Sequence, residues 1–393
     1  MKIAMMTNNY KPFIAGVPIS IERLSEGLRA AGHEVVVFAP EYKEQAEEEN
    51  VVRYRSLIKG IVNGVSIPDS LDAKIEKEFR EGNFDLIHVH HPMLIGRTAL
   101  YLSKKYNVPL CFTYHTRYEQ YLHYIKAPFL SGIIPYYVND YASQCDMVFA
   151  PTPLMQEYLE EIGETSPCAV LPTGLQEESF AADGLEAGKL REELLGGKKY
   201  LFCTIARLAK EKNLEFLFRA LAIRKQEAGA DFRLAIVGDG PYKPQLMKLA
   251  GRLDIQEEII FVGKVPNAQV KNYCKAADLF LFASLSETQG IVLLEAMATG
   301  TPVLAVKASG VCDVVVNGKN GYMTYLSEIE YANRLDAMLK QNRAYMEQGA
   351  IETARKYEAR EIAKMAAVYY NTAIQNHKQE KDRIAGEKKY VIL

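Results

Sequence analysis

Short apolar runs alternate along this chain with stretches whose apolar positions recur every three or four residues. The runs predict strands at Lys2–Met6, Glu34–Ala39, Phe84–His90, Pro109–Tyr114, Asp146–Ala150 and Cys168–Pro172. After a break they resume at Lys199–Ile205, Phe232–Val237, Ile259–Val262, Leu279–Ala283, Pro302–Val306 and Gly321–Thr324. Gly, Pro, Asp and Asn bound them, and many are apolar on both faces, as parallel strands covered by helices are. The break is polar, Gly-containing and without strand pattern, EESFAADGLEAGKLREELLGG. The pattern therefore predicts an α/β protein of two doubly wound domains, 1–178 and 199–360, joined by a linker at 179–198. From Ser327 onward only helical spacing remains. Its last piece, Glu361–Gln375, carries Ile362, Met365, Ala366, Tyr369 and Tyr370 on one face, and a charged tail completes residues 361–393. Ligands of such sheets bind beyond the carboxyl ends of the strands, so two facing domains imply an active site in a central cleft.

Composition narrows the picture a little. A chain of 393 residues can bury two full cores. A formal net charge of −2 gives no overall bias toward nucleic acid, and no nucleic-acid partner is expected. The six cysteines form no C-x-x-C pair, so neither a zinc site nor a redox pair is signalled. The apolar run before Thr7 is too short for a secretion signal and no run is long enough to span a bilayer. The expectation is a cytoplasmic protein whose membrane contact, where it has one, is peripheral on the cytosolic face.

The strongest chemical signal is Ser286-Glu287-Thr288-Gln289-Gly290-Ile291-Val292-Leu293-Leu294-Glu295-Ala296-Met297. Glu287 follows a strand and Glu295 lies in the next helix. Thr288, Gln289 and Gly290 form the helix entry, where free N–H groups and the dipole suit a phosphate. The bland alternative makes Glu287 a helix-entry acid and Glu295 a solvated helix residue. Arg207 and Lys212 follow the second domain's first strand in ARLAKEKN, placed to neutralise a diphosphate without a metal. No D-x-D, a common metal–diphosphate arrangement, occurs anywhere. The turn holding Gly238 and Gly240, and the strand end at Lys264 and Val265, are weaker signals. The backbone at Lys264 and Val265 suits a base edge, and plain turn chemistry explains both equally well.

Arg207, Lys212, the G-D-G-P turn and the paired glutamates stand in the order seen in glycosyltransferase family 4, and the chain resembles that family over nearly its whole length. The resemblance implies the GT-B fold, retention of anomeric configuration, donor-diphosphate contacts from Arg207 and Lys212, and no metal or other cofactor. It implies that Glu287 holds donor-sugar hydroxyls, that Glu295 holds the ribose, and that the last helix crosses back onto the first domain. There, Gly16 follows the first strand where the diphosphate would approach a helix start; the family often shows two glycines, and this chain has Ala15-Gly16. His115 ends a strand, and the matching family histidine faces the reacting sugar. His88 and His90 share a strand face, which could suggest a metal, but no carboxylates accompany them. The family uses that strand end, at His90, to line the acceptor cleft.

Residues Leu86–Val138 hold five Lys/Arg, one acid and eight tyrosines. Within them Tyr118, Tyr121, Leu122 and Ile125 have helical spacing, and Arg117, Tyr124 and Lys126 add charge and aromatic surface suited to an anionic membrane. A helix packed on its own sheet shows the same spacing. His115–Ile125, HTRYEQYLHYI, resembles the diacylglycerol α-glucosyltransferase branch of family 4. The expectation is transfer of a hexose, glucose from UDP-glucose, to a hydroxyl acceptor, the membrane lipid diacylglycerol. A soluble or polysaccharide acceptor is the alternative. A GT-B nucleotide-sugar epimerase is disfavoured, because it is expected to lack this donor set.

Overall fold

A computed structural model describes the chain except residues 14, 44, 46, 60–65, 116–132, 164–165 and 391–393. The chain divides into two compact units, Met1–Gly174 with Ala359–Leu393, and Leu175–Glu358.

The first unit is built on strands β1 (Lys2–Met6), β2 (Glu34–Pro40) and β3 (Val51–Tyr54), a small hairpin of β4 (Ser56–Ile58) and β5 (Ile67–Pro68), then β6 (Leu86–Val89), β7 (Leu110–Thr113), β8 (Met147–Ala150) and β9 (Cys168–Val170). All but the hairpin form a seven-stranded sheet, ordered β3-β2-β1-β6-β7-β8-β9. Each neighbouring pair is parallel. Successive side chains of β1 point to opposite faces, and both faces are apolar. Ile3 and Met5 join the cluster under helix α1 (Gly16–Ala30), while Ala4 and Met6 join the cluster under α2 (Ala73–Gly82), α3 (Ile95–Tyr106), α4 (Ile133–Ala142) and α5 (Pro153–Glu161). The last helix, α13 (Ala359–Tyr390), shares the α1 face through Ile362, Ala363, Ala366, Tyr370 and Ala373. Gly27 permits that approach, because a Cβ there would lie 2.8 Å from the Ala359 carbonyl oxygen.

The second unit has β10 (Tyr200–Ile205), β11 (Phe232–Val237), β12 (Ile259–Gly263), β13 (Leu279–Phe282), β14 (Val303–Val306) and β15 (Gly321–Thr324). They form one parallel sheet ordered β12-β11-β10-β13-β14-β15. Helices α6 (Gly184–Leu195), α7 (Leu214–Ala228), α8 (Lys243–Arg252), α9 (Asn267–Ala276), α10 (Ile291–Ala298), α11 (Glu328–Lys340) and α12 (Ala344–Arg355) surround it.

The segment read as a linker is a structural part of the second unit. Asp183 caps α6 by accepting from the N–H groups of Leu185 and Glu186, and Gly196 in the left-handed region ends it. Arg191 pairs with Asp278 at 2.8 Å, and Ala187 and Leu194 are buried. The unit boundaries fall at Gly174/Leu175 and Glu358/Ala359, a few residues before those expected. Among the described residues, no helix is long and apolar enough to cross a membrane.

Candidate active site

Each sheet reverses strand order once, between β1 and β6 and between β10 and β13. Loops leaving the carboxyl ends on either side of such a reversal diverge and leave a crevice for a ligand. Of the residues singled out above, Gly16 and His90 follow the two strands at the first reversal, and Arg207, Lys212, Glu287, Thr288, Gln289 and Gly290 follow the two strands at the second.

In the second unit the loop after β10 carries Arg207 and Lys212, and the loop after β13 carries Glu287. Lys212 Nζ donates to Glu287 Oε1 at 2.6 Å, so one ion pair spans the reversal. Both side chains are about one-fifth exposed, at 22% and 19%. Such a pair is reachable from solvent but poorly screened. Asn213 braces it: in the left-handed region at φ 53°, it donates from Nδ2 to the Ala283 carbonyl at the end of β13. Arg207 is nearly half exposed, and its guanidinium donates to Glu211 Oε1 at 2.6 Å. Both cations thus face carboxylates of their own unit. A diphosphate arriving here would compete with those carboxylates for charge-assisted hydrogen bonds.

The G-D-G-P turn seats the Arg207 loop. Leu208 N–H donates to Asp239 O, and Ala206 N–H to Val237 O. A Cβ on Gly238, which sits at φ 128°, would stand 2.0 Å from the Ala206 carbonyl oxygen, and one on Gly240 would stand 2.3 Å from that of Leu208. These glycines hold backbone against backbone, a role the sequence left mixed with ligand contact. Gly238 N–H also donates to Gly263 O, tying in the exposed Lys264 and half-buried Val265.

Helix α10 starts at Gly290, in the left-handed region at φ 67°, and no side chain caps it. The Leu293 N–H donates back to the Gly290 carbonyl, and the helix start suits an anion. Gly310 packs on this entry so tightly that a Cβ there would lie 2.9 Å from the Glu287 carbonyl oxygen and 3.0 Å from the Gln289 nitrogen. Gln289 is buried, Thr288 is half-buried, and Glu295 stands half-buried in the second turn of α10. Glu211, Asn213 and Gly310 escaped the sequence reading. Only the i,i+4 spacing of Arg207 and Glu211 offered a signal.

In the first unit the crevice lies between the loop after β1 and the loop after β6. His91 Nδ1 accepts from the Asn8 N–H at 3.2 Å, and Asn8 Nδ2 donates to Met93 O at 3.0 Å. Gly16 begins α1, which lacks a side-chain cap and any first-turn acid, and a Cβ on Gly16 would meet nothing within 4 Å. That start is open to an anion.

His115 ends β7. Its Nε2 lies 2.9 Å from His90 Nδ1, and the two rings meet with their planes inclined by 26°. His90 is 1% exposed and its N–H still donates to Met6 O, so it remains inside the sheet. This corrects the expectation that His90 lines an acceptor surface; it stands behind His115. His88 lies deeper, with Nδ1 2.7 Å from the Tyr370 hydroxyl and Nε2 2.7 Å from Thr113 Oγ1. Protein hydroxyls therefore occupy both of its nitrogens. Burial pushes the His88 pKa down to about 3 and that of His91 to about 4. Burial, with neighbouring imidazoles, holds His90 and His115 well below the usual range, so all four rings are neutral. Arg117, Tyr121, Tyr124, Ile125 and Lys126 lie outside the described residues.

Known proteins share this plan. Residues 14–179 match the family described as Glycosyltransferase Family 4, and 186–357 that described as Glycosyl transferases group 1. The alpha-monoglucosyldiacylglycerol synthase of Streptococcus pneumoniae is 31% identical over 315 residues, 78% of this chain and 71% of that protein. The enzyme of the same name from Acholeplasma laidlawii is 31% identical over 346 residues, 82% of this chain and 84% of that protein. Among solved structures, Anabaena Alr3699/HepE in complex with UDP superposes with a TM-score of 0.76 at 21% identity, covering 95% of this chain and all of that one. Sucrose-phosphate synthase from Thermosynechococcus elongatus gives 0.78 at 19%, covering 95% and 99%. Two α/β units, each built on a parallel sheet with one reversal of strand order, and these likenesses lead to one conclusion: the chain belongs to glycosyltransferase family 4 and is a glycosyltransferase of the GT-B fold.

Proposed function

We propose that the chain transfers a hexose, glucose from UDP-glucose, to the hydroxyl of diacylglycerol, with retention of anomeric configuration and without a metal. The observation that carries the reading is the Lys212–Glu287 pair across the β10/β13 reversal, beside the uncapped start of α10. In the proposed donor complex Arg207, Lys212 and the α10 N–H groups take the diphosphate. Glu287, released from Lys212, accepts from sugar hydroxyls, Glu295 from the ribose, and backbone at Lys264 and Val265 meets the base. The bond from the anomeric carbon to the diphosphate oxygen breaks as the acceptor oxygen bonds to that carbon from the same face. The acceptor proton passes to the departing phosphate, so no strong protein base is needed. Charge grows on the diphosphate in the transition state, where the two cations and helix dipole act on it. A lipid acceptor is supported by the names of the Streptococcus and Acholeplasma relatives, both alpha-monoglucosyldiacylglycerol synthases.

The test is a panel of UDP-, GDP- and ADP-sugars with released nucleotide and product measured, with and without diacylglycerol, in excess EDTA. The expected result is UDP released from UDP-glucose, faster with diacylglycerol, with a glucolipid formed and no loss on chelation. Activity abolished by EDTA and restored by Mg²⁺ would overturn the cationic clamp. Turnover on a soluble acceptor alone would move the acceptor assignment. UDP released together with an epimerised free sugar would point to an isomerase.

A further inference from the structure

The pair at the ends of β6 and β7 has an asymmetry that decides where a proton sits. His90 Nδ1 and His115 Nε2 are 2.9 Å apart, so one nitrogen carries hydrogen and the other a lone pair. The other nitrogen of His90, Nε2, is buried and has no hydrogen-bond partner among the described residues. Were His115 the donor, neutral His90 would keep its own proton on Nε2, as an orphaned N–H in the interior. Buried N–H groups without an acceptor are the rarer and costlier defect. With His90 donating, Nε2 is bare and only a lone pair goes unused.

We propose that His90 is a positioning residue: its Nδ1–H donates to His115 Nε2 and so holds His115 as the tautomer protonated on Nδ1. The surroundings fix the donor ring. The His88 ring lies 4.2 Å from that of His90, and His88 is itself held by Tyr370 of α13 and Thr113 of β7. His90 is also fixed through its backbone to Met6 of β1. Strand and helix packing thus set the orientation of one imidazole, and that imidazole sets the protonation of the next. Low pKa values agree with this, because a neutral pair has a tautomer to choose. The consequence for transfer rests on the reading of His115 as a site residue: in this tautomer its Nδ1 can only donate a hydrogen bond, not accept one.

The experiment uses the full chain labelled with 15N-histidine, whose seven histidines are resolved by long-range 1H–15N correlation and assigned with His115→Gln. In the unmodified protein the expected pattern for His115 is a bare Nε2 and a protonated Nδ1. A protonated Nε2 overturns the proposal, and the pattern itself is read from the unmodified protein. In His90→Leu the preference should shift toward the other tautomer, while His90→Asn, which keeps an amide N–H near the place of Nδ1, should restore it. Turnover should follow: kcat lower by about tenfold in His90→Leu at unchanged donor KM, the scale at which outer-shell partners act, and recovered in His90→Asn. An unchanged His115 tautomer in folded His90→Leu also overturns the proposal. Failure of the site reading would look different, with His115→Ala keeping full turnover while the tautomer pattern stands.

Discussion

Lys212 shows what one residue can disclose. Its strand-end position and charge were readable in ARLAKEKN, as was that of Glu287. Their meeting was not, because 75 positions separate them and only the parallel order β10–β13 brings them together. The same holds for Gly310, whose close approach to Glu287 and Gln289 leaves no trace in the local sequence. His90 was misread for a related reason: a histidine at a strand end looks the same whether it faces solvent or the next strand. In the proposed mechanism Lys212 meets charge that develops on the leaving group. Lys212→Ala should therefore lower kcat by about 10²-fold, the size expected for losing a preorganised charged contact. Only a partly exposed pair is lost, so the far-UV spectrum and thermal midpoint should stay close to those of the parent. Near-normal turnover in a folded variant would remove Lys212 from the donor site.

At the scale of elements, the alternation of apolar runs located all twelve strands it named, with ends shifted by a residue or two. It passed over β3, an edge strand whose residues are mostly half-buried and which follows an acidic stretch, so that no continuous apolar run announces it. It also passed over α6, where Gly184, Gly188 and many charges leave little apolar stripe although both ends are well marked. Helix α13 was readable as a helix, but not its polar anchor, Tyr370 on His88. That anchor makes the carboxyl ends of β6 and β7 sensitive to acid. An ordinary histidine titrates near 6.5, whereas folding lowers His88 to about 3 and His91 to about 4 through burial. Above about pH 6.5 neither state binds these protons and they leave stability unchanged. Below it the unfolded chain takes up protons that the folded unit refuses, so stability falls as pH drops toward 4. Each such histidine adds at most about 1.4 kcal/mol per pH unit. Urea midpoints measured from pH 8 to pH 4.5 should be flat at first and then decline, and the decline should be shallower in His88→Phe. A midpoint that stays level to pH 4.5 would contradict neutral burial of the cluster.

At the scale of the molecule, the net charge of −2 gives no reason for membrane attraction, so any such attraction must be local. The first unit, which holds the basic stretch, also carries exposed apolar side chains. Leu57, Ile58 and Leu71, at and after the β4–β5 hairpin, are 64%, 52% and 90% exposed, and Leu94 at the start of α3 is 45% exposed. The Thr98 hydroxyl donates to the Ser70 carbonyl, which keeps the hairpin's trailing loop beside that helix. Apolar side chains held in water are a standing cost that insertion into a headgroup layer removes. The basic, tyrosine-rich stretch with Arg117 and Lys126 adds charge, and each cation near an anionic surface contributes about 1 kcal/mol, weakened by salt. On this reading the protein should sediment with anionic vesicles more than with neutral ones, and less at high ionic strength. Arg117→Glu with Lys126→Glu should reduce pelleting while leaving hydrolysis of the nucleotide sugar intact, since neither belongs to the donor set. Leu71→Ser, which removes only apolar surface, should weaken binding to a similar degree at low and high salt, separating the two contributions. Equal and negligible pelleting with both kinds of vesicle would remove the lipid surface from the proposal and favour an acceptor taken from solution.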